Sequence, residues 1–183
     1  ACRLRELLGL DVEVHAGADQ PLVGLQEFAR HVHGETGLGD VVLPEPERGP
    51  DSDGAVEFLV EATRAEEGLH LVPVGPLTNV ALALRADPGL ADRVASLTLM
   101  GGSAQGVGNV TPVAEFNVWA DPEAADEVFR SGAPLTMLGL NLTHQVRMGR
   151  VHADECRALD TPVAGAMAGL LEFYAVFHLA AEE

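Results

Sequence analysis

The stretch LHLVPVGPLTNVALALRADPG, residues 69–89, passes directly from a strand pattern to a helix pattern. Residues 69–75 form a nearly continuous apolar run, which is typical of a strand buried in a parallel sheet. Residues 76–89 have the pattern of a helix, and Pro88 is expected to end it. A strand followed at once by a helix is the repeating unit of α/β folds.

The same alternation continues on both sides of this stretch. Further strands are expected at residues 11–17, 96–102 and 134–142, and further helices at residues 49–68 and 121–132. This order predicts an α/β fold, in which a mostly parallel, doubly wound (Rossmann-like) sheet carries helices on both faces. We expect a single domain over residues 1–183, with one linker-like segment at residues 44–54.

Both ends of the chain carry helix patterns without the usual boundaries. Residues 1–10 have helical spacing but no capping residue before them. Residues 161–183 predict a long helix with Thr161 as its N-cap and Pro162 in its first turn, yet this helix pattern ends on two acids and no glycine. We therefore expect a chain that is truncated at both ends.

Charge excludes several classes of partner. The chain has 11 Lys and Arg against 28 Asp and Glu, a formal net charge of −17, which repels nucleic acid and anionic membranes. No apolar stretch approaches the roughly 18 residues of a membrane span. Two cysteines, Cys2 and Cys156, are too few for a disulfide framework. These features predict a cytoplasmic protein.

Polar residues cluster after the strand that ends at Met100. Ligands of parallel α/β sheets bind beyond the carboxyl ends of the strands, so the loops after residues 74, 100 and 140 are candidates. The loop after Met100 is rich in glycine and contains Asn109, Glu115 and Asn117, whose amides and carboxylate can bind a neutral polyol. The alternative interpretation is that asparagine and glycine simply form the loop.

Other kinds of site have weaker support. Residues 100–115 contain neither phosphate-binding motif, and no Lys or Arg. Asp51 and Asp53 suggest a metal site, but Asp53 stands where the next helix needs a cap, so capping or solvation is favoured. His33 and His144 fit surface or hydrogen-bonded histidines. The Ser nucleophile elbow and zinc spacing are both absent. The segment Asp121-Pro122-Glu123 predicts a helix start, a structural role.

Taken together, five segments resemble the inosine-uridine-preferring nucleoside hydrolases, which cleave ribonucleosides to base and ribose. The segments are VHAGADQPL (14–22), HGETGLGD (33–40), VPVGPLTNVALAL (72–84), LMGGSAQGVGNVTPVAEFNVWADPEAA (99–125) and MLGLNLTHQV (137–146). They occur in the family's order, and the glycine-rich loop with N-x-x-x-x-x-E-F-N is the most specific of them.

The resemblance implies a role for each matching residue. In the family this loop binds ribose, so Asn109 and Glu115 would hold the 5′-hydroxyl and Asn117 the 3′ side, with Met100 against the sugar. A carboxylate favours the oxocarbenium-like transition state, and the amides orient the ring. His33 matches a histidine near the base-binding mouth.

The resemblance also implies a calcium ion that binds the sugar diol and activates the attacking water. One of its ligands is a main-chain carbonyl, which falls here on Val74. The family's other ligands, an N-terminal D-x-D-P-G-x-D-D cluster and a C-terminal His-Asp pair, have no counterpart, and Asn141 stands where the family has Asp. We therefore expect no catalytic residue within this chain, and neither tight calcium binding nor hydrolysis by the chain alone.

The resulting hypothesis is a ribonucleoside N-glycosidase of nucleoside salvage, of which this chain carries the ribose-binding part. The resemblance implies a homo-oligomer, a dimer or tetramer, for the complete enzyme. The alternative hypothesis is a catalytically inactive module that binds a nucleoside or a partner subunit.

Overall fold

The computed structural model describes residues 1–181, and the side chains of residues 1–176 among them. The two acids that end the chain, Glu182 and Glu183, lie outside the described residues. The chain forms two compact units. The sheet unit contains His15–Glu27 and Ser52–Val146, and the terminal unit contains Ala1–Val14, Phe28–Asp51 and the chain from Arg147 onward. A single domain over the whole chain stays a prediction.

The described residues contain ten helices and three strands. In chain order they are α1 (Cys2–Leu7), α2 (Arg30–His33), α3 (Ala55–Ala65), β1 (His70–Leu71), α4 (Thr78–Ala86), α5 (Leu90–Arg93), β2 (Ser96–Met100), α6 (Phe116–Ala120), α7 (Pro122–Arg130), β3 (Leu135–Leu138), α8 (Leu140–Thr143), α9 (Arg150–Ala158) and α10 (Pro162–Ala181).

The three strands form one parallel sheet in the order β1-β2-β3. Leu97 of the central strand pairs with Leu71 on one side and Leu135 on the other. A buried core forms where β2 packs against α4 and α7, and its members are Leu77, Val80, Ala81, Leu97, Leu99, Ala124, Ala125 and Val128. The predicted α/β class with a parallel sheet is therefore confirmed.

The strands are shorter than the sequence predicts. In the apolar run 69–75 only His70–Leu71 form a strand; beyond them the carbonyl of Pro73 still accepts from the N–H of Met100, but Pro73 has no N–H of its own to continue the ladder. The strand predicted at residues 11–17 is wrong: His15 makes only an isolated parallel bridge with Ser52. The strand predicted at residues 134–142 ends at Leu138, where the chain turns into α8.

The structure shows which of the helices α3, α7 and α10 have a side-chain cap at the N-terminus. Asp121 caps α7, with its Oδ1 accepting from the N–H of Ala124 at 3.1 Å, and Thr161 Oγ1 accepts from Ala164 N at 3.2 Å at the start of α10. Of the two roles expected for Asp53, capping is excluded, because Gly54 occupies the N-cap position of α3 without a side-chain cap, whereas the exposed position of Asp53 fits solvation.

A buried arginine organises the terminal unit. Arg5 of α1 donates to Asp51 Oδ2 at 3.0 Å and to the carbonyls of Arg48 and Gly49. Asp51 also accepts from the N–H of Val14, and that bond, together with the neighbouring arginines, holds the pKa of its carboxyl below the ordinary value. Asp51 is thus engaged in ion pairs and hydrogen bonds.

The two cysteines, Cys2 and Cys156, are both free thiols in the terminal unit, as expected. Helix α9 is joined to α10 by an ion pair between Arg157 and Glu172. Among the described helices, none combines the length and the apolar character that a membrane span requires.

Candidate functional site

The ends of the three strands lie side by side. The N–H of Met100, the last residue of β2, donates to the carbonyl of Pro73 at 2.9 Å. On the other side, Gly101 N donates to Leu138 O at 3.3 Å, and Leu140 N donates to Gly102 O at 3.0 Å. The loops that follow residues 74, 100 and 140 therefore begin at one edge of the sheet, as parallel strands require.

The carboxylate of Glu115 organises the loop that follows β2. Glu115 is 3% exposed, and its Oε2 accepts from the backbone N–H groups of Gly102 at 2.8 Å, Asn117 at 2.9 Å and Val118 at 3.2 Å. Two of these N–H groups belong to the first turn of α6, for which Glu115 is the N-cap. One carboxylate oxygen is therefore committed to the loop, and Oε1 is the oxygen that a ligand can use.

Asn117 connects α6 back to the strand end. Its Nδ2 donates to the carbonyl of Met100 at 2.9 Å and lies 3.5 Å from the sulfur of the same residue. This bond holds the partly buried amide beside the end of β2, and it leaves Oδ1 as the acceptor for a hydroxyl group. The structure thus brings Met100, Glu115 and Asn117 together.

Asn109 closes the middle of the loop. Its Oδ1 accepts from the N–H of Phe116 at 2.9 Å, and its own N–H donates to Ala114 O at 3.0 Å. A Cβ added to Gly108 would lie 1.9 Å from the carbonyl oxygen of Thr111, so only glycine fits this turn. Because Asn109 is itself exposed, its main role in this structure is to shape the loop.

Asn141 braces the same loop from the end of β3. Its Oδ1 accepts from the N–H of Ala104 at 3.4 Å, a long hydrogen bond between α8 and the glycine-rich segment. His144 follows α8 directly and is exposed.

The described residues do not by themselves fit a calcium site. Val74 follows Pro73 at the edge of the sheet and is 75% exposed. Its carbonyl is the one calcium ligand that the resemblance assigns to this chain. Within the described residues, no three His, Cys, Asp or Glu side chains form a group that could hold a metal ion. One carbonyl falls far short of the six to eight oxygens that Ca²⁺ takes.

His33 belongs to the terminal unit, whereas Met100, Glu115 and Asn117 belong to the sheet unit. It ends α2, is exposed, and stacks on Tyr174 of α10 with ring centroids 5.9 Å apart. The two rings, with Phe173, line a cavity of about 210 Å³.

One buried carboxylate has contacts that the sequence does not predict. Asp121, predicted only as a helix cap, is 0% exposed, and its Oδ2 accepts from Thr78 Oγ1 at 2.6 Å and from Leu22 N at 2.9 Å. These partners lie 43 and 99 residues away in sequence, so no local pattern identifies them.

Comparison with known proteins identifies relatives along the whole chain. The family model described as inosine-uridine preferring nucleoside hydrolase matches residues 1–183. The pyrimidine-specific ribonucleoside hydrolase RihA of Shewanella woodyi is 45% identical over 180 residues, which are 97% of this chain and 57% of that protein. The RihA of Photobacterium profundum is 47% identical over 97% of this chain and 58% of its own length.

Solved structures have the same fold. The purine-preferring ribonucleoside hydrolase from Gardnerella vaginalis superposes with a TM-score of 0.94 at 33% identity, over 98% of this chain and 59% of that one. A plant nucleoside hydrolase, PpNRh1, superposes with a TM-score of 0.89 at 34% identity, over 98% of this chain and 57% of its own. The chain thus spans a little over half the length of the relatives that it matches.

Proposed function

Because the chain belongs to the inosine-uridine preferring nucleoside hydrolase family, we propose that it carries the ribose-binding part of a ribonucleoside N-glycosidase. The observation that supports this most is the pair formed by Glu115 and Asn117 at the carboxyl end of β2. Both side chains are held by backbone groups of the strand end, and each keeps one oxygen for a ligand.

The chemistry of the loop favours a neutral sugar. Residues 100–120 contain no Lys or Arg, so an anionic ligand would find no counter-charge there. Hydroxyl groups, in contrast, can donate to Glu115 Oε1 and Asn117 Oδ1. The buried carboxylate also places negative charge near a ring that becomes positively charged as the N-glycosidic bond breaks. Binding and transition-state stabilisation would therefore come from the same two residues.

The other assignments rest on the resemblance. Asn109 would assist at the 5′-hydroxyl through its Nδ2, Met100 would contact the sugar, and His33 would contact the base. Val74 would contribute its carbonyl to a calcium ion, which in this family activates the attacking water. Carboxylates beyond the described residues would have to complete that calcium site, so we assign no general base to this chain.

We propose pyrimidine ribonucleosides as the substrates. The relatives with 45–47% identity are named as pyrimidine-specific, whereas the solved structure with 33% identity is named as purine-preferring. We also propose a cytoplasmic enzyme, as the charge and the cysteine usage of the chain predict, and a homo-oligomer, as the resemblance implies. Sedimentation of the purified protein would test the oligomer.

The experiment is a reducing-sugar assay on the protein made from its complete reading frame. We expect ribose release from uridine, slower release from inosine, and loss of both with a calcium chelator. No release from either nucleoside would contradict the enzyme and favour the nucleoside-binding or subunit-interaction module. If a chelator leaves ribose release unchanged, the result would contradict the calcium assignment but not the nucleoside hydrolase activity.

A further inference from the structure

We propose that Asp121 is a positioning residue that holds three segments of the sheet unit in register, two of which carry proposed site residues, an inference that rests on the proposed function. Asp121 is fully buried, and its two oxygens have separate roles. Oδ1 caps its own helix at Ala124 N, while Oδ2 accepts from Thr78 Oγ1 and Leu22 N.

Asp121 itself and its partner Thr78 lie close in sequence to proposed site residues. Asp121 follows α6 directly, six residues after Glu115 and four after Asn117. Thr78 is the first residue of α4, four residues after Val74. Leu22 ends the segment 14–22, which matches the family. Because only a few residues separate Asp121 from Asn117 and Thr78 from Val74, a displacement of the Asp121 carboxylate would also move the groups that would contact the ligand.

The two long-range bonds depend on each other because they share one oxygen. Water does not reach Asp121, so a donor that is removed is not replaced, and the carboxylate then loses one of the bonds that fix the position of Oδ2 for the other donor. A glycine contact adds to the constraint: a Cβ at Gly17 would lie 2.4 Å from the side chain of Asn79, which itself accepts from the N–H of Ala18 at 2.9 Å. Asn79 thus holds Ala18 directly, and Asp121, which also accepts from the neighbouring Thr78, holds Leu22 of the same segment.

Helix capping and positioning can be separated by substitution. Asp121→Ser keeps a good N-cap for α7, but its side chain is too short to reach Thr78 and Leu22. Thr78→Val removes only the hydroxyl at nearly constant shape, and Thr78→Ser retains it as the matched control. Of these variants, only Thr78→Ser preserves all the bonds of Asp121.

The test uses the protein made from the complete reading frame, and it measures uridine binding by calorimetry and turnover by ribose release, well below the melting temperature of each variant. We expect Thr78→Ser to match the wild type, and Asp121→Ser to lose about tenfold or more in kcat/KM, because small misplacements of reacting groups cost rates of this order. Thr78→Val should fall between them. Variants that melt earlier but bind and turn over uridine as the wild type does would overturn the proposal.

A second readout separates this inference from the proposed function. If the wild type neither binds nor hydrolyses uridine, the proposed function fails, and hydrogen exchange of the Leu22 amide decides the positioning claim. We expect that amide to exchange about tenfold faster in Thr78→Val but not in Thr78→Ser, because the shared oxygen couples the two bonds. Equal exchange in both variants would overturn the coupling. If Asp121→Ser does not fold, Thr78→Val alone gives the answer.

Discussion

Glu115 accepts a hydrogen bond from the N–H of Gly102 at 2.8 Å, and so a buried carboxylate joins the start of α6 to the end of β2, thirteen residues earlier in the chain. Gly102 has a φ of +70°, and a Cβ there would lie 2.9 Å from the sulfur of Met137. The backbone N–H of this residue can therefore face the carboxylate only because the position is a glycine.

Substitution of Glu115 tests whether its charge holds the loop. Glu115→Gln keeps the size but weakens three charge-assisted hydrogen bonds, so the free energy of unfolding should fall by about 1–3 kcal/mol. Denaturant melts of the purified protein measure this change. Glu67→Gln, in an exposed turn, should change stability by less than about 0.5 kcal/mol. Equal stability of Glu115→Gln and the wild type would contradict the organising role.

Asn117 tests the sugar assignment. Asn117→Ala should weaken uridine binding by about tenfold, which corresponds to about 1.4 kcal/mol, because the amide is lost beside the carbonyl of Met100. Trp119, the single tryptophan, packs on Phe116 at 6.1 Å and reports binding by fluorescence. Gln105→Ala, exposed in the same loop, is the control and should bind like the wild type. Unchanged binding by Asn117→Ala would remove this residue from the site.

Asp87 should make stability depend on pH. Its carboxylate accepts from Arg93 and Arg64, and the bond from Arg93 contributes most to holding its pKa below the ordinary 3.8. A lowered folded-state pKa stabilises the fold above pH 3.8, and this stabilisation is lost as the pH falls through the folded pKa.

Asp87→Asn should therefore be less stable than the wild type at neutral pH, with a difference that shrinks in acid. Unfolding curves collected between pH 7 and about pH 2.5 measure it. Asp126→Asn, which breaks an exposed pair with Arg130, should remain close to the wild type at every pH. A difference for Asp87→Asn that stays constant with pH would show that its ionisation is not responsible.

Calcium binding tests the incomplete site. The melting temperature of the 183-residue chain should not rise in millimolar Ca²⁺, because the described residues contribute a single proposed ligand, the carbonyl of Val74. Scanning calorimetry with Mg²⁺ at equal ionic strength is the control. A saturable rise with Ca²⁺ alone would mean that this chain completes a calcium site.

The fold class could be predicted because local patterns carry it. Residues 76–89 and 121–132 have clear helix boundaries, and α4 and α7 lie within them. Strand lengths were less predictable, since pairing depends on neighbours that are distant in sequence. The run at residues 69–75 is apolar throughout, yet only His70 and Leu71 pair with β2.

For the candidate site, too, the sequence indicated the residues but not the contacts that they make. The order of Asn109, Glu115 and Asn117 in a glycine-rich loop indicates a candidate polyol site, and five segments together were needed to indicate the family. The same letters do not reveal that Glu115 Oε2 is occupied by three backbone N–H groups, because that depends on the path of the loop.

By itself, the sequence determined the alternation of strands and helices, the strongly negative net charge, and the loop on which the polar residues lie. These are local or additive properties of the chain. Only the tertiary structure decided which oxygen of Glu115 remains for a ligand, and that Asp121 receives both Thr78 and Leu22. The physical reason is that a buried carboxylate must satisfy its hydrogen bonds with whatever groups the fold brings within 3 Å, however distant they are along the chain.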